Sequence, residues 1–137
     1  MRKIYRNIIT KEDVVKFGST KKKVLKNKSN IVSDIINILK KDFDFTIKKS
    51  SYCLVEHYPS GHDWHVDTGS NDHMKWCELG VSILLTEPTF GGDTYYKDGE
   101  EIIKSDRGLY DMIAHTSDEL HKVDSHEGYR SVFLMFI

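Results

Sequence analysis

The C-terminal segment from Ser131 to Ile137 constrains the fold more than any other stretch of the chain. Side chains of an extended backbone point alternately to opposite faces. Here both faces are apolar, with Phe133, Met135 and Ile137 on one and Val132, Leu134 and Phe136 on the other. A strand of this kind has to be covered on both sides, as it is inside a sandwich or barrel. Leu79 to Thr86 is a second continuous apolar run, short enough for a buried strand. Turn signals punctuate the region: Pro59-Ser60-Gly61, Gly91-Gly92-Asp93 and Lys97-Asp98-Gly99-Glu100. The last is bracketed by Thr94-Tyr95-Tyr96 and Glu101-Ile102-Ile103, a hairpin pattern. Ser51 to Tyr58, Trp64 to Asp67, Gly108 to Ile113 and Tyr129 to Ile137 read as further extended segments. Several short strands separated by turns predict a double-sheet jelly roll or barrel rather than a parallel α/β sheet.

The first 50 residues follow a different period. Thr10 followed by Glu12 and Asp13 resembles a helix start, continued by Val14, Val15 and Phe17 up to Gly18. Ser29 or Asn30 caps a second, clearer helix, whose apolar residues Ile31, Val32, Ile35, Ile36, Ile38 and Leu39 recur at helical spacing. That helix should end near Lys40 to Asp44. The fold class expected is therefore mainly β with N-terminal helices. At 137 residues the chain has the length of one domain, with residues 1–50 as helical support and 51–137 as the β core.

Composition excludes several classes. Apolar residues make up 39% and charged residues 30%, an ordinary globular balance. No apolar run approaches the roughly 20 residues of a membrane-spanning helix, and the start lacks the apolar core of a secretory signal. Cys53 and Cys77 are too few for a disulfide framework and read as buried free thiols, which fits a reducing cytoplasm. The net charge of −1 conceals a split: residues 1–50 carry 14 Lys and Arg against 5 Asp and Glu, and residues 51–137 carry 6 against 16. Such halves either neutralise each other across one fold or leave a basic face for an acidic partner.

All seven histidines lie after residue 56, and His57, His62, His73, His115 and His126 each read plainly as loop, edge or surface residues. His65-Val66-Asp67 differs. On a strand, residues two apart share a face, so an imidazole and a carboxylate project into one cavity. They are two of the three ligands of a 2-His-1-carboxylate site, which leaves positions open on Fe(II). His121 follows 54 residues after Asp67, close in space only if the intervening strands fold back. Arg130, nine residues further, is expected on a strand adjacent to His121, facing inward with Val132, Leu134 and Phe136. A buried guanidinium among apolar neighbours requires an anion, and its planar fork suits a carboxylate.

The segment Tyr58 to Ile137 resembles the core of the Fe(II)/2-oxoglutarate-dependent dioxygenases, in particular their prolyl 4-hydroxylase-like branch. The resemblance rests on Tyr58-Pro59-Ser60-Gly61 before His65-x-Asp67, and on the apolar strand ending in Leu84-Leu85-Thr86. Gly91-Gly92-Asp93-Thr94-Tyr95-Tyr96, Gly108, His121-x-Val123 and Gly128-x-Arg130 then follow in order. It implies a double-stranded β-helix (jelly-roll) core in which His65, Asp67 and His121 hold Fe(II), Arg130 binds the distal carboxylate of 2-oxoglutarate, and Tyr58 contacts cosubstrate or substrate. It also implies ascorbate as reductant and hydroxylation of a C–H bond, most directly of a prolyl residue in a peptide or protein. Hydroxylation of a free amino acid or other small molecule is the second reading, and a non-enzymatic metal-binding jelly-roll module the third. Two departures stand out. The strand Ile83-Leu84-Leu85 lacks the cosubstrate-binding tyrosine of some relatives, and Phe136 stands where the nucleic-acid-demethylating branch carries a second Arg. The latter argues against a nucleic-acid substrate.

Overall fold

A computed structural model of the chain describes residues 1–18, 21–25, 30–57, 60–68 and 74–137. In chain order the elements are β1 (Arg2–Tyr5), α1 (Lys11–Phe17), β2 (Lys23–Val24), α2 (Asn30–Leu39), β3 (Tyr52–His57), β4 (His62–His65) and β5 (Leu79–Thr86). They continue as β6 (Phe90–Gly91), β7 (Thr94–Asp98), β8 (Glu101–Lys104), β9 (Met112–Thr116), β10 (His121–Val123), β11 (His126–Glu127) and β12 (Ser131–Phe136). The molecule is mainly β with two helices, as the change of period predicts.

The doubly apolar strand β12 lies inside a six-stranded antiparallel sheet of order β1-β9-β5-β12-β3-β2, flanked by the other apolar run, β5. Leu79, Val81, Ile83 and Leu85 of β5 join Phe133, Met135 and Ile137 in the main core. That core is closed by α1 and α2. Val32, Ile35, Ile36 and Leu39, at helical spacing, are all buried in it, and Phe17 stacks on Phe133 with ring centroids 4.4 Å apart. Each such side chain contributes about 1.5–3 kcal/mol by leaving water, so the helices are bound to the sheet mainly by area. The start of α1 is secured by a capping box. The Asp13 amide donates to the Thr10 hydroxyl at 3.3 Å and the Thr10 amide donates to the Asp13 carboxylate at 2.9 Å.

A four-stranded sheet, β4-β10-β7-β8, and a two-stranded one, β11-β6, complete the architecture. The hairpin joins β7 to β8 with Asp98 opposite Glu101, and Gly99 takes φ +61° in its turn.

Four details depart from the sequence reading. The N-terminal part is more than helical cover, because β1 pairs with β9 and β2 with β3 at the edges of the large sheet. Gly108 to Asp111 is a turn rather than the beginning of a strand. The Asp111 carboxylate accepts from the Gly108 and Asn7 amides, both at 2.9 Å, and holds the chain bent until Met112. Asp67 lies in the turn after β4 rather than on it. Finally, β12 is not a neighbour of β10: the chain crosses from the small sheet to the large one between them, with β11 paired to β6 on the way.

The opposed charges of the two chain segments meet across this architecture. Arg2 pairs with Asp98 and Glu119, Arg6 with Asp106 and Asp111, and Lys48 with Glu78. No helix among the described residues is long and apolar enough to cross a membrane.

Candidate active site

His65 and His121 face each other as a cross-strand pair between β4 and β10. Asp67 joins them from the following turn, and the ligating atoms of all three lie within 4.8 Å of one another. Asp67 Oδ1 is 3.5 Å from His121 Nε2. The ring orientations are set by the backbone. His65 Nδ1 donates to the Asp63 carbonyl at 2.7 Å and His121 Nδ1 donates to the Glu119 carbonyl at 2.8 Å. Each bond fixes the tautomer that leaves Nε2 with a free lone pair, the arrangement that a metal-binding imidazole needs. Two nitrogen lone pairs and one carboxylate oxygen thus converge, a donor set that fits Fe(II). Burial and the neighbouring His115 hold the His121 pKa below that of an ordinary histidine, so its lone pair is available at neutral pH.

The Asp67 carboxylate is nearly fully buried and needs its own support. His115, on β9, supplies it at 2.6 Å from Nε2 to Asp67 Oδ2, and its Nδ1 is 2.8 Å from the Tyr96 hydroxyl on β7. One neutral tautomer satisfies both bonds: Tyr96 O–H donates to Nδ1, and Nε2–H donates to Asp67. Burial keeps the Tyr96 hydroxyl protonated for that role. Burial by itself would raise the Asp67 carboxyl. The His115 bond and the adjacent imidazoles outweigh it, and the pKa falls below the usual carboxylate value. The close approach depends on Gly80, because a Cβ there would sit 2.0 Å from Asp67 Oδ2 and 2.7 Å from His115 Nε2.

These groups line a cleft between the two larger sheets, walled by Ser82 and by Val132, Leu134 and Phe136 from the inner face of β12. Arg130, only 2% exposed, lines the same cleft just ahead of β12. The inward orientation expected for Arg130 is therefore found, although on the sheet opposite His121. His62 stacks on His65 at 3.8 Å between centroids and also borders the cleft. Tyr58 and His73 lie outside the described residues. In the sequence His115 is one of five histidines that read plainly as loop, edge or surface residues, and nothing there marks a role for Tyr96 or Gly80. The alternation of β7 and β9 turns Tyr96 and His115 inward, but nothing in the sequence says that those strands face the same cleft.

The architecture is similar to that of solved prolyl hydroxylases. The chain superposes on a prolyl-4-hydroxylase of Pseudomonas putida with a TM-score of 0.74 and 11% identity, covering 99% of this chain and 83% of that one. It superposes on a prolyl hydroxylase of Trichoplax adhaerens, in complex with a hypoxia inducible factor oxygen degradation domain peptide fragment, with a TM-score of 0.67 and 15% identity over 99% and 83% of the two chains. The viral collagen prolyl hydroxylase of Paramecium Bursaria Chlorella virus-1, in a 2OG complex, gives 0.59 and 11% over 98% and 94%. No protein-family model and no curated protein sequence matches the chain. At these identities the likeness is one of fold, and the chemistry has to be argued from the cleft.

Proposed function

We propose that the chain is an Fe(II)/2-oxoglutarate-dependent dioxygenase that hydroxylates a C–H bond, with a prolyl residue of a peptide as its substrate. The observation that carries this reading is the convergence of His65, Asp67 and His121, with both Nε2 atoms free, in a cleft that also contains the buried guanidinium of Arg130. The fold shared with prolyl hydroxylases, one of them bound to a peptide, supports the substrate class. In this proposal residues 1–137 form one oxygenase domain, with the helices supporting a double-stranded β-helix core. Tyr58 is a cosubstrate or substrate contact. Ascorbate serves as reductant in the reducing cytoplasm suggested by the two buried free thiols, Cys53 and Cys77.

The residues divide the work. His65, Asp67 and His121 would hold the iron through two imidazole nitrogens and one carboxylate oxygen. Arg130 orients the cosubstrate by two charge-assisted hydrogen bonds to its distal carboxylate. The apolar wall of Val132, Leu134 and Phe136 keeps bulk water from the reacting atoms. Bound iron with 2-oxoglutarate supplies the oxidising chemistry, in which dioxygen and the cosubstrate are consumed and succinate, carbon dioxide and the hydroxylated product are released.

Incubation with Fe(II), ascorbate, 2-oxoglutarate and a proline-containing peptide library should yield succinate together with a peptide gaining one oxygen by mass spectrometry. Arg130→Ala should leave metal affinity nearly intact while weakening 2-oxoglutarate roughly thirtyfold or more, the cost of stripping a buried charge of its partner. Absence of succinate in every pool would refute the oxygenase reading. Oxygen added to free amino acids alone would replace the peptide by a small-molecule substrate.

A further inference from the structure

Arg2, on β1, stands behind the candidate metal site rather than in it. In the β1–β9 pairing Arg2 lies directly opposite His115, and opposed residues of an antiparallel pair project to the same face. The Arg2 side chain therefore leaves the large sheet beside His115 and reaches the small one, where its fork closes on two carboxylates. Nη1 and Nη2 donate to Asp98 Oδ1 and Oδ2 at 3.0 and 2.8 Å, and Nη1 also donates to Glu119 Oε2 at 2.8 Å. The guanidinium carbon sits 4.8 Å from the centroid of the Tyr96 ring.

Each of these three partners leads to a group of the metal site. Glu119 offers its backbone carbonyl to His121 Nδ1, and its own amide donates to the Thr116 carbonyl at 3.1 Å. The Met1 amino group is 3.3 Å from Glu119 Oε1, so both oxygens of that carboxylate are held. Tyr96 donates to His115, which donates to Asp67. Asp98 ends β7, the strand that sets Tyr96 opposite His121. Tyr96 and Ile113 border both the cleft and a second hollow beside Arg2 and Ile103. A ring flanked by two hollows has fewer packing contacts to fix it, and a cation on its face adds a directional hold. His65 and His121 stand on the small sheet, whereas His115, which aims Asp67, stands on the large one. Arg2 spans that gap. Arg6, just after β1, supplies the contrast. It also pairs with two acids, Asp106 and Asp111, but among the described residues neither acid is hydrogen-bonded to His65, Asp67, His115 or His121.

We infer that Arg2 is a positioning residue of the metal site: it ties the two sheets together, sets His121 through Glu119, and sets His115 and hence Asp67 through Tyr96. The inference rests on the reading of His65, Asp67 and His121 as metal ligands and adds to it a residue outside the cleft.

The test compares wild type, Arg2→Met, Arg2→Lys and Arg6→Met by calorimetric titration with Mn(II), by thermal unfolding, and by the imidazole nitrogen NMR signals of the metal-free proteins at neutral pH. Arg2→Met keeps the hydrocarbon stem and removes the fork. It should weaken Mn(II) by about tenfold, the lower end of what groups that orient a metal ligand supply. Arg6→Met should leave Mn(II) affinity within about twofold of wild type, as its partners do not reach the ligands. Both variants should lose no more than about 5 °C in unfolding temperature, the scale of a partly exposed ion pair. In wild type His121 and His115 should each show one tautomer, protonated at Nδ1 and Nε2 respectively. Both signals should move toward a tautomer mixture in Arg2→Met and stay in place in Arg6→Met. Arg2→Lys keeps the charge but cannot grip Asp98 with two parallel bonds while holding Glu119, so its affinity should fall between wild type and Arg2→Met. Wild-type Mn(II) affinity in Arg2→Met overturns the positioning role and leaves the metal site standing. Unmoved imidazole signals, or a loss of affinity that Arg6→Met reproduces, make Arg2 a structural ion pair and also overturn it. Should Arg2→Met not fold, the same comparisons are read on Arg2→Lys. A wild-type protein that binds no Mn(II) refutes the metal site itself, and the role of Arg2 falls with it.

Discussion

On the helix-facing side of β5 and β12, Leu79, Val81, Ile83, Leu85, Phe133 and Met135 pack in the apolar core that α1 and α2 close. On the cleft-facing side of the same strands stand Gly80, Ser82, Val132, Leu134 and Phe136, with Arg130 just ahead of β12. The two faces share one backbone, yet they are held by different physics. The helix side depends on volume, since whatever fills it without voids satisfies it. The cleft side depends on direction: a carboxylate aimed by His115, two imidazoles aimed by carbonyls, and a glycine that leaves room for them. Loss on the first side should appear as unfolding, and loss on the second as failed binding by a protein that remains folded.

The largest expected effect follows directly. Phe133→Ala removes a fully buried ring that stacks on Phe17, and should destabilise the fold by about 3–5 kcal/mol, read by denaturant unfolding. Metal affinity of the fraction that remains folded should be unchanged. His121→Ala is the opposite case, with little change in unfolding and a loss of Fe(II) or Mn(II) affinity exceeding the roughly hundredfold that supporting residues can account for. If Phe133→Ala weakened metal binding as much as His121→Ala does, the division between the two faces would be wrong.

This division also explains what the sequence could reveal. The helix side was legible because area has a period: Ile31 to Leu39 repeats as a helix, and β5 and β12 appear as apolar runs. His65 and Asp67 were legible because two residues close in sequence sufficed to suggest them. The premise was not quite right, as Asp67 is in a turn, but the two side chains meet all the same. Legibility fails where a role is defined by a partner remote in the chain. His115 is 48 residues from Asp67 and 19 from Tyr96. It forms part of the site only because the two sheets face one another. The turn at Gly108 to Asp111 was missed for the same reason, since its clamp includes the amide of Asn7.

His115 tests how far the cleft side depends on direction rather than on ligands alone. Both its nitrogens are engaged, so it acts on the metal through its neighbours, Asp67 by hydrogen bond and the His121 ring by packing at 4.3 Å between centroids. His115→Ala should weaken Mn(II) by about tenfold to a hundredfold, the usual cost of losing a group that orients a ligand. His115→Gln, which retains a donor for Asp67, should recover much of the loss, as measured by metal titration. Equal losses in both variants would mean that His115 fills space and does not orient.

The smallest effect distinguishes two buried aspartates near the two ends of β9. Asp67 has its Oδ2 on His115 and directs Oδ1 toward the imidazoles, whereas Asp111 is fully enclosed by the Asn7 and Gly108 amides and by Arg6 at 2.8 Å. Burial alone would raise the Asp111 carboxyl, but those donors outweigh it and its pKa lies below the usual value. A carboxyl depressed in the folded state favours folding most at pH values above its unfolded pKa of about 3.9, and this contribution declines as pH falls from there through the folded value. Asp111→Asn should therefore destabilise the protein at neutral pH by about 1 kcal/mol, the scale of a net hydrogen bond. The gap to wild type should close as the pH is lowered below about 4, whereas metal affinity at neutral pH should not move, because Asp111 has no bond to the cleft residues. Unfolding curves of the two proteins across pH 3–7 check this. Parallel curves through the acid limb would mean that the Asp111 charge contributes nothing to the turn, and that the turn depends on its shape alone.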